Sequence, residues 1–517
     1  MKPQVCVPLV DRGIEDIVES AKKAKKEGAD LLELRLDFLP DLTVEKVEKI
    51  TKLVKRVGLP TILTIRKEGF GGHFPKEREG EQINLLLAGA KNVNFVDIEL
   101  ETDIEILKNF IKKIKKLKTL LIISSHDFEK TPPVEKVLEI LEEEKRLGAD
   151  VYKFICKANT LSDNLTMLTA NQKFIGKKIV FCMGKLGILS RVLSSIFGSE
   201  LTFASLKSGK ESAPGQLDIR TTKMILSNSL ESGTKICCII GDPVEHSLSP
   251  LMHNVAFREL GLNFTYIPLK VKKEMLQEAI EVIRRLGIRG VNVTIPHKVA
   301  VMKFLDDIDD LASEIGAVNT IVNNIGKLTG LNTDGMGAVR ALKDNEGEPK
   351  DKKVVIIGAG GACRAISYSI AKEKPKELII INRTVEKASE IAKSIKEKID
   401  VNVKSLQLKP ENLKAELKDA DIVINSTSVG MSPNVNETVI PKEFLHNNML
   451  LMDIVYNPLE TRLIKEAKEV GVKTIDGIEM LVNQGIESFK IWTGKNAPVE
   501  SMRKEVLKAL GSEKDEG

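Results

Sequence analysis

One rhythm constrains the fold of this chain more than any single motif. Between Cys6 and about Leu226, eight short apolar runs alternate with amphipathic stretches of helical spacing. The runs are CVPLV, LLELRL, PTILTIR, FVDIEL, TLLIISSH, DVYKFIC, KIVFCMG and LTFASL. Strands that alternate with helices build a parallel sheet. Eight strand–helix units in roughly 225 residues predict an N-terminal (β/α)8 TIM barrel. The alternative is an open doubly wound sheet.

A barrel makes a demand that the sequence can meet or fail: polar chemistry collects at the C-terminal ends of the strands. Glu33 and Arg35 end the second run, and Arg66 the third. Ser125 and His126 end the fifth, Arg191 follows the seventh, and ESAPGQ, with Ser212 and Gln216, follows the eighth. An acid, several cations and a histidine at one mouth suit an anionic substrate. Lys153 lies inside the sixth run, among Val151, Tyr152, Phe154 and Ile155. A lysine in that company reaches water, pairs with an acid or gives up its proton.

The charge balance excludes some functions. A net charge of +5 over 517 residues, evenly spread, gives no basis for nucleic-acid binding. The densest basic run, KNFIKKIKKLK, carries Phe110, Ile111, Ile114 and Leu117 at helical spacing and reads as a solvated helix face. The six cysteines form no C-x-x-C pair and no metal-ligand spacing, so no metal is expected. No apolar run reaches transmembrane length and the N-terminus lacks a signal-peptide pattern, so a cytoplasmic protein with no membrane partner is expected.

A second α/β pattern restarts at KICCII, after the short Ser-rich stretch LSNSLESGTK. Within it, KVVIIGAGGACRAISYSIA reads as strand, glycine loop and helix. Gly358, Gly360 and Gly361, with Ala359 and Ala362, allow close backbone approach to a pyrophosphate at a helix N-terminus. The third fingerprint position is Cys363 rather than glycine. The next strand ends in Asn382, Arg383 and Thr384, where an NAD site normally carries an acid, and an arginine there favours the 2′-phosphate of NADP. Upstream, GVNVTIPHK sets Asn292 and Thr294 on one strand face, and Pro296 ends the strand. Lys298 is expected to open the next helix, against its dipole. Asp334, in NTDG, is either an ordinary Asp-Gly turn or a carboxylate partner for Lys298.

These pieces resemble two families. The first half is similar to type I 3-dehydroquinate dehydratase through ELR, TIR, SSHDF, YKFICKANT, CMGKLGILSR and SAPGQ, in that order. The second half resembles shikimate dehydrogenase through GDPVEHSLSPLMHN, VNVTIPHK, GAVNT, NTDG, GAGGACRA, NRT, NSTSVGM and MLVNQG. The order matches the fused bifunctional family of the shikimate pathway. The resemblance implies a barrel over 1–226 and a two-lobed dehydrogenase, and the polar, Ser-rich composition between them reads as a linker at 227–234. The dehydrogenase would have a substrate domain at 235–335 completed by 478–511 and a Rossmann NADP-binding domain at 336–477, while the polar composition of GSEKDEG makes 512–517 an expected disordered tail.

The resemblance also implies roles. Lys153 would form a Schiff base with 3-dehydroquinate, which requires a neutral amine of the kind that apolar surroundings favour. His126 would move protons, Arg191 grip the substrate carboxylate, and Glu33, Arg35 and Arg66 hold hydroxyls. Ser212 and Gln216 would lie on a closing loop. In the dehydrogenase, Lys298 and Asp334 would form a polar dyad. Ser247 and Ser249 would bind the carboxylate, and Asn292, Thr294, Asn319 and Gln484 the ring hydroxyls, with Tyr456 nearby. Gly358 to Ala362 and Asn382 to Thr384 would hold NADPH. One departure stands out: the dehydratase family usually has a carboxylate just before the Gly-Gly pair after TIR, and here Phe70 precedes Gly71–Gly72, with Glu68 the nearest acid. Two other readings follow from the same resemblance, a catalytically dead sensor and a dehydrogenase acting on quinate. The retained Lys153, His126, Lys298 and Asp334 weigh against the first, and Ser247 with the dyad against the second.

Overall fold

The computed structural model describes residues 3–207, 209, 211–226, 233–244 and 247–512. Residues 227–232 of the expected linker and 513–517 of the expected tail lie outside the described residues. The chain divides into two compact units, Met1–Lys235 with Asn263–Thr265, and Ile236–Leu262 with Tyr266–Gly517.

In the first unit the eight apolar runs are the strands β1 (Gln4–Leu9), β2 (Leu31–Arg35), β3 (Thr61–Thr64), β4 (Phe95–Glu99), β5 (Leu120–Asp127), β6 (Val151–Lys157), β7 (Lys178–Met183) and β8 (Leu201–Phe203). They pair in parallel in the order β7-β6-β5-β4-β3-β2-β1-β8. A parallel bridge between Lys178 and Ser199, just before β8, brings the two edges together. This is a (β/α)8 barrel, and the open sheet is excluded.

Strand alternation explains the packing. In β6, Val151 and Ile155 face the barrel interior with Ile122, Ile179 and Phe181, while Phe154 and Cys156 face Val137 and Leu141 of the surrounding helix Val134–Leu147. Lys153 has the parity of Val151 and Ile155, so the same alternation sends it inside. Gly148, at φ 94, ends that helix in a left-handed turn that admits glycine easily, and the chain then enters β6. The basic run folds as the helix Ile104–Ile114, with Phe110, Ile111 and Ile114 buried; Leu117 falls beyond its end and is exposed.

The second unit holds two six-stranded sheets. Its strands are β9 (Lys235–Gly241), β10 (Phe264–Lys270), β11 (Gly290–Val293), β12 (Asp307–Ile308), β13 (Thr320–Asn324), β14 (Lys327–Leu331), β15 (Lys353–Ile357), β16 (Glu377–Asn382), β17 (Val403–Gln407), β18 (Ile422–Asn425), β19 (Leu450–Asp453) and β20 (Lys473–Ile475). The first sheet is mixed, in the order β10-β9-β11-β13-β14-β12, with β11 parallel to β9 and antiparallel to β13. The second is parallel, in the order β17-β16-β15-β18-β19-β20. Val354 and Ile356 of β15 pack on one face, Val355 and Ile357 on the other, as a doubly wound sheet requires. The topology reverses at β15, where such sheets receive ligands. Among the described residues no helix is long and apolar enough to cross a membrane.

Candidate active site

The barrel mouth gathers Glu33, Arg35, Arg66, His126, Lys153, Arg191, Ser212 and Gln216 around one cavity, with Phe70, Gly71 and Phe128. Its three arginines differ in a way the sequence does not reveal. Arg35 forms a paired contact with Asp37 at 2.9 and 2.8 Å and donates to the Gly71 carbonyl. Arg66 meets Asp97 at 2.8 Å, Ser124 Oγ at 2.8 Å and Glu99 at 3.8 Å. Burial disfavours its charge, but Asp97, Glu99 and Glu33 outweigh burial and hold the guanidinium above its ordinary range. Arg191 is 3% exposed, and its Nε and Nη2 have no hydrogen-bond partner. It lies over the Phe181 ring at 4.9 Å, and burial pulls it down to about 10. A buried guanidinium without an acid is a receptor waiting for an anion.

Lys153 corrects one expectation. Its surroundings are acidic rather than apolar: Nζ donates to Asp97 at 2.8 Å and lies 3.7 Å from Glu33, with the Phe203 ring on another side. Asp97, fully buried, also accepts from Ser124 Oγ at 2.6 Å. Burial would raise its carboxyl, but Arg66 and Lys153 outweigh that and hold it well below the usual carboxylate range. Asp97 was missed in the sequence, although FVDIEL carries Asp97 and Glu99 at alternate positions of an apolar run, the mark of acids facing the barrel interior.

His126, half-buried at the end of β5, stacks on Phe128, and its Nδ1 has no partner. Burial first, then the charges of Arg66 and Lys153, hold the imidazole well below its ordinary value, so it is neutral and able to accept a proton. Ser212 and Gln216 bond each other: Gln216 Nε2 donates to Ser212 Oγ at 2.9 Å, and the Ser212 amide to Gln216 Oε1 at 3.0 Å. Phe70 lines the cavity, whereas Glu68 is exposed outside it. Lys157, at the exit of β6, is exposed.

In the second unit, Lys298 Nζ donates to Asp334 at 2.5 Å. The expectation that Lys298 opens a helix is wrong: it sits in a turn before the short 3-10 helix Ala300–Phe304. Asp334 is the first residue of the helix Asp334–Asp344, not an isolated turn. Asn319 Nδ2 donates to Asp334 at 2.7 Å and to Thr333 Oγ1 at 3.0 Å. The hydroxyls of Thr333, Thr320 and Ser488 carry the network to Asn292, whose Oδ1 accepts from Tyr266 at 2.7 Å. The amide of Asn292 is thus largely committed inside the protein, with one acceptor position to spare. Tyr266 and Ser488 are not marked by any motif read above, and Thr320 falls in GAVNT without a role of its own there; their hydroxyls come to Asn292 of β11 only because β10, β13 and the helix Gly477–Thr493 converge on it.

Ser249 hydrogen-bonds Tyr266, and its amide donates to Ser247 Oγ at 3.3 Å. Thr294 follows β11 on the Asn292 side and is half-buried. Gln484 lies one turn before Ser488 on its helix and donates to Leu481 O. Tyr456 is half-buried on the loop after β19.

The glycine loop fits a dinucleotide. The helix Gly361–Lys372 follows Gly360, and no side chain caps its first turn. A Cβ on Gly360 would meet nothing within 4 Å, so the side of the loop that this position faces is open. Gly358, at φ +127, lies where a Cβ would strike Ser426 Oγ at 2.4 Å. The buried Cys363, Sγ 3.1 Å from Gly358 O, fills the position of the third fingerprint glycine. At the end of β16, Asn382 Nδ2 donates to Thr384 O, and Arg383 and Thr384 are exposed.

Comparison with known proteins agrees with both halves. The type I 3-dehydroquinase profile matches residues 5–232, and the shikimate dehydrogenase substrate-binding domain matches 239–321. The shikimate/quinate 5-dehydrogenase profile matches 340–481, and the shikimate 5′-dehydrogenase C-terminal domain 477–507. A chloroplastic bifunctional 3-dehydroquinate dehydratase/shikimate dehydrogenase of Arabidopsis thaliana is 38% identical over 96% of this chain and 83% of its own length. An NADP(+)-dependent shikimate dehydrogenase of Methanocaldococcus jannaschii is 48% identical over 54% of this chain and 98% of its own. A Listeria monocytogenes shikimate 5-dehydrogenase, solved with shikimate and NAD, is 39% identical over 53% of this chain and 97% of its own, with a TM-score of 0.51. With a relative that spans both halves, and with both catalytic modules matched in order, the chain belongs to the bifunctional 3-dehydroquinate dehydratase/shikimate dehydrogenase family.

Proposed function

We propose that the barrel dehydrates 3-dehydroquinate to 3-dehydroshikimate through an imine on Lys153, and that the second unit reduces this product to shikimate with NADPH. The observation that carries the first reaction is the unpaired guanidinium of Arg191 over the cavity that also holds Lys153 and His126. Arg191 binds the substrate carboxylate as a bidentate pair. Lys153, relieved of its proton, attacks the ketone, and loss of water leaves an iminium that acidifies the adjacent carbon. Neutral His126 takes that proton and returns it to the departing hydroxyl. Hydrolysis then frees Lys153, and the net change is one water lost. Asp97 and Glu33 steady the cationic nitrogen throughout. Arg66 is committed to Asp97 and holds it in place.

In the second unit Lys298 orients the ketone oxygen and supplies its proton, while Asp334 keeps the ammonium aimed. Ser247, Ser249, Asn319, Gln484 and the spare acceptor of Asn292 bind carboxylate and hydroxyls, with Thr294 and Tyr456 at the margin. NADPH, when bound, supplies the hydride. Gly358 to Ala362 would hold its pyrophosphate, and Asn382, Arg383 and Thr384 the adenosine phosphate. The absence of an acid at the end of β16 supports NADP over NAD.

Borohydride reduction in the presence of 3-dehydroquinate, followed by peptide mapping, tests the imine. A substrate-sized adduct on the Lys153 peptide is expected, and an adduct elsewhere or none overturns the mechanism. For the second reaction, NADPH consumption with 3-dehydroshikimate is expected to exceed NADH consumption at least tenfold. Equal rates would remove the assignment of Arg383.

A further inference from the structure

A buried carboxylate that neither reaction uses sits at the C-terminal edge of the cofactor sheet. Asp453, the last residue of β19, is fully buried. Its Oδ1 accepts from Asn425 Nδ2 at 2.9 Å and from the Val455 amide at 3.1 Å, and its Oδ2 from Thr461 Oγ1 at 2.7 Å. No basic side chain pairs with it among the described residues.

The three donors come from three segments. Asn425 ends β18, and its own Oδ1 accepts from the amide and hydroxyl of Thr427, which fixes the amide orientation; Thr427 Oγ1 in turn accepts from the Val429 amide. Val455 leads into the loop that carries Tyr456. Thr461 caps the helix Arg462–Glu469 through the Ile464 amide. One carboxylate therefore ties the loop after β18, the loop after β19 and the start of a helix. Next to Asn425, Ser426 Oγ donates to Ile357 O at 2.7 Å and abuts Gly358.

These loops lie on a definite side of the sheet. Arg383 directly follows β16 on one flank of β15, and β18 and β19 lie on the other. A dinucleotide with its pyrophosphate on the glycine loop and its adenosine phosphate by Arg383 must extend its reacting half over β18 and β19. We infer that Asp453 is a positioning residue that holds the loops at 425–431 and 453–458 in the shape that receives the nicotinamide half of the cofactor. The inference rests on the NADPH reading above. Burial pushes the carboxyl up to about 6 even against its three donors, so the ionised form depends on those hydrogen bonds.

Two measurements on the full chain test it. In the ligand-free protein, Asp453→Ala is expected to speed hydrogen exchange at the Val429 and Val455 amides at least tenfold, which needs no nucleotide. By fluorescence titration it is expected to raise the Kd for NADPH at least tenfold while shifting that for shikimate less than twofold. Asp453→Asn, which keeps an acceptor toward Asn425 and Val455, is expected to restore NADPH affinity to within threefold of the parent. Unchanged exchange, or shikimate affinity lost in step with NADPH, overturns the inference. If Asp453→Ala does not fold, Asn425→Ala and Thr461→Val cut the same ties one at a time. Parental exchange rates in both variants then overturn it. Failure of the parent itself to bind NADPH refutes the cofactor reading, while the exchange experiment still decides Asp453.

Discussion

At the residue scale, the barrel mouth sorts its cations by partner. Arg35 and Arg66 spend their donors on Asp37, Asp97 and Ser124, while Arg191 keeps buried donors unused. On the proposed role, removing Arg191 costs substrate binding rather than an internal hydrogen bond of its Nε or Nη2. Two charge-assisted bonds at about 1.5–3 kcal/mol each predict that Arg191→Ala lowers dehydratase kcat/KM by about a hundredfold or more. Arg191→Lys should recover only part, because an ammonium cannot pair with both carboxylate oxygens in the same plane. Steady-state kinetics checks both, and a loss under fivefold for the alanine variant would sink the assignment.

Behind the same strand, Glu144 accepts the Lys153 backbone amide at 2.9 Å, is fully buried, and leaves Oε1 without a partner. Burial pushes its carboxyl well above the ordinary range, so the folded protein holds a proton that the unfolded chain releases near pH 4.3. The sign follows from linkage. The contribution of this group to stability is complete below the unfolded value and falls as pH rises toward the folded one, by about 1.4 kcal/mol per pH unit. Glu144→Gln should match the parent near pH 4.5 and exceed its urea midpoint at pH 7, read by loss of dehydratase activity. Equal midpoints at both pH values would contradict the buried, protonated state.

At the scale of elements, the site is a set of strand ends and one loop. The loop at 212–216 docks on the segment after β7: Gly184 donates its amide to Pro214 O at 3.0 Å, and Gly215, at φ +77, lies where a Cβ would meet Gly184 O at 2.2 Å. Both the backbone angle and the contact exclude a side chain. Gly215→Ala should unseat the loop and lower dehydratase kcat/KM at least tenfold, with dehydrogenase turnover unchanged as the internal control. The eight strands were legible because burial on both faces leaves apolar runs separated by amphipathic helices. The position of Lys298 was not. The strand break at Pro296 suggested a helix start at Lys298, against its dipole, but the chain turns there first, held by Val318 N donating to Lys298 O at 2.7 Å from a segment twenty residues on.

At the scale of the whole molecule, each candidate site draws its residues from one unit: the Lys153 cavity from the first, the Lys298–Asp334 network from the second. Lys153→Ala is therefore expected to abolish dehydration, at least a thousandfold, and leave reduction of 3-dehydroshikimate within twofold. Lys298→Ala should do the reverse. Separate assays of the two steps check this, and joint loss in either variant would show that the sites do not act as independent units. The sequence by itself determined the two repeating patterns, the glycine loop and the chemical groups at the strand ends, because period and residue type are local properties. Only the tertiary structure decided which groups meet. Lys153 reaches Asp97 across 56 residues, Arg66 reaches Ser124 across 58, and Thr320 reaches Ser488 across 168. Those meetings are set by strand register, barrel curvature and helix packing, which depend on the whole chain at once. That is why an apolar pocket for Lys153 was expected from its neighbours in sequence, and an acidic one is found.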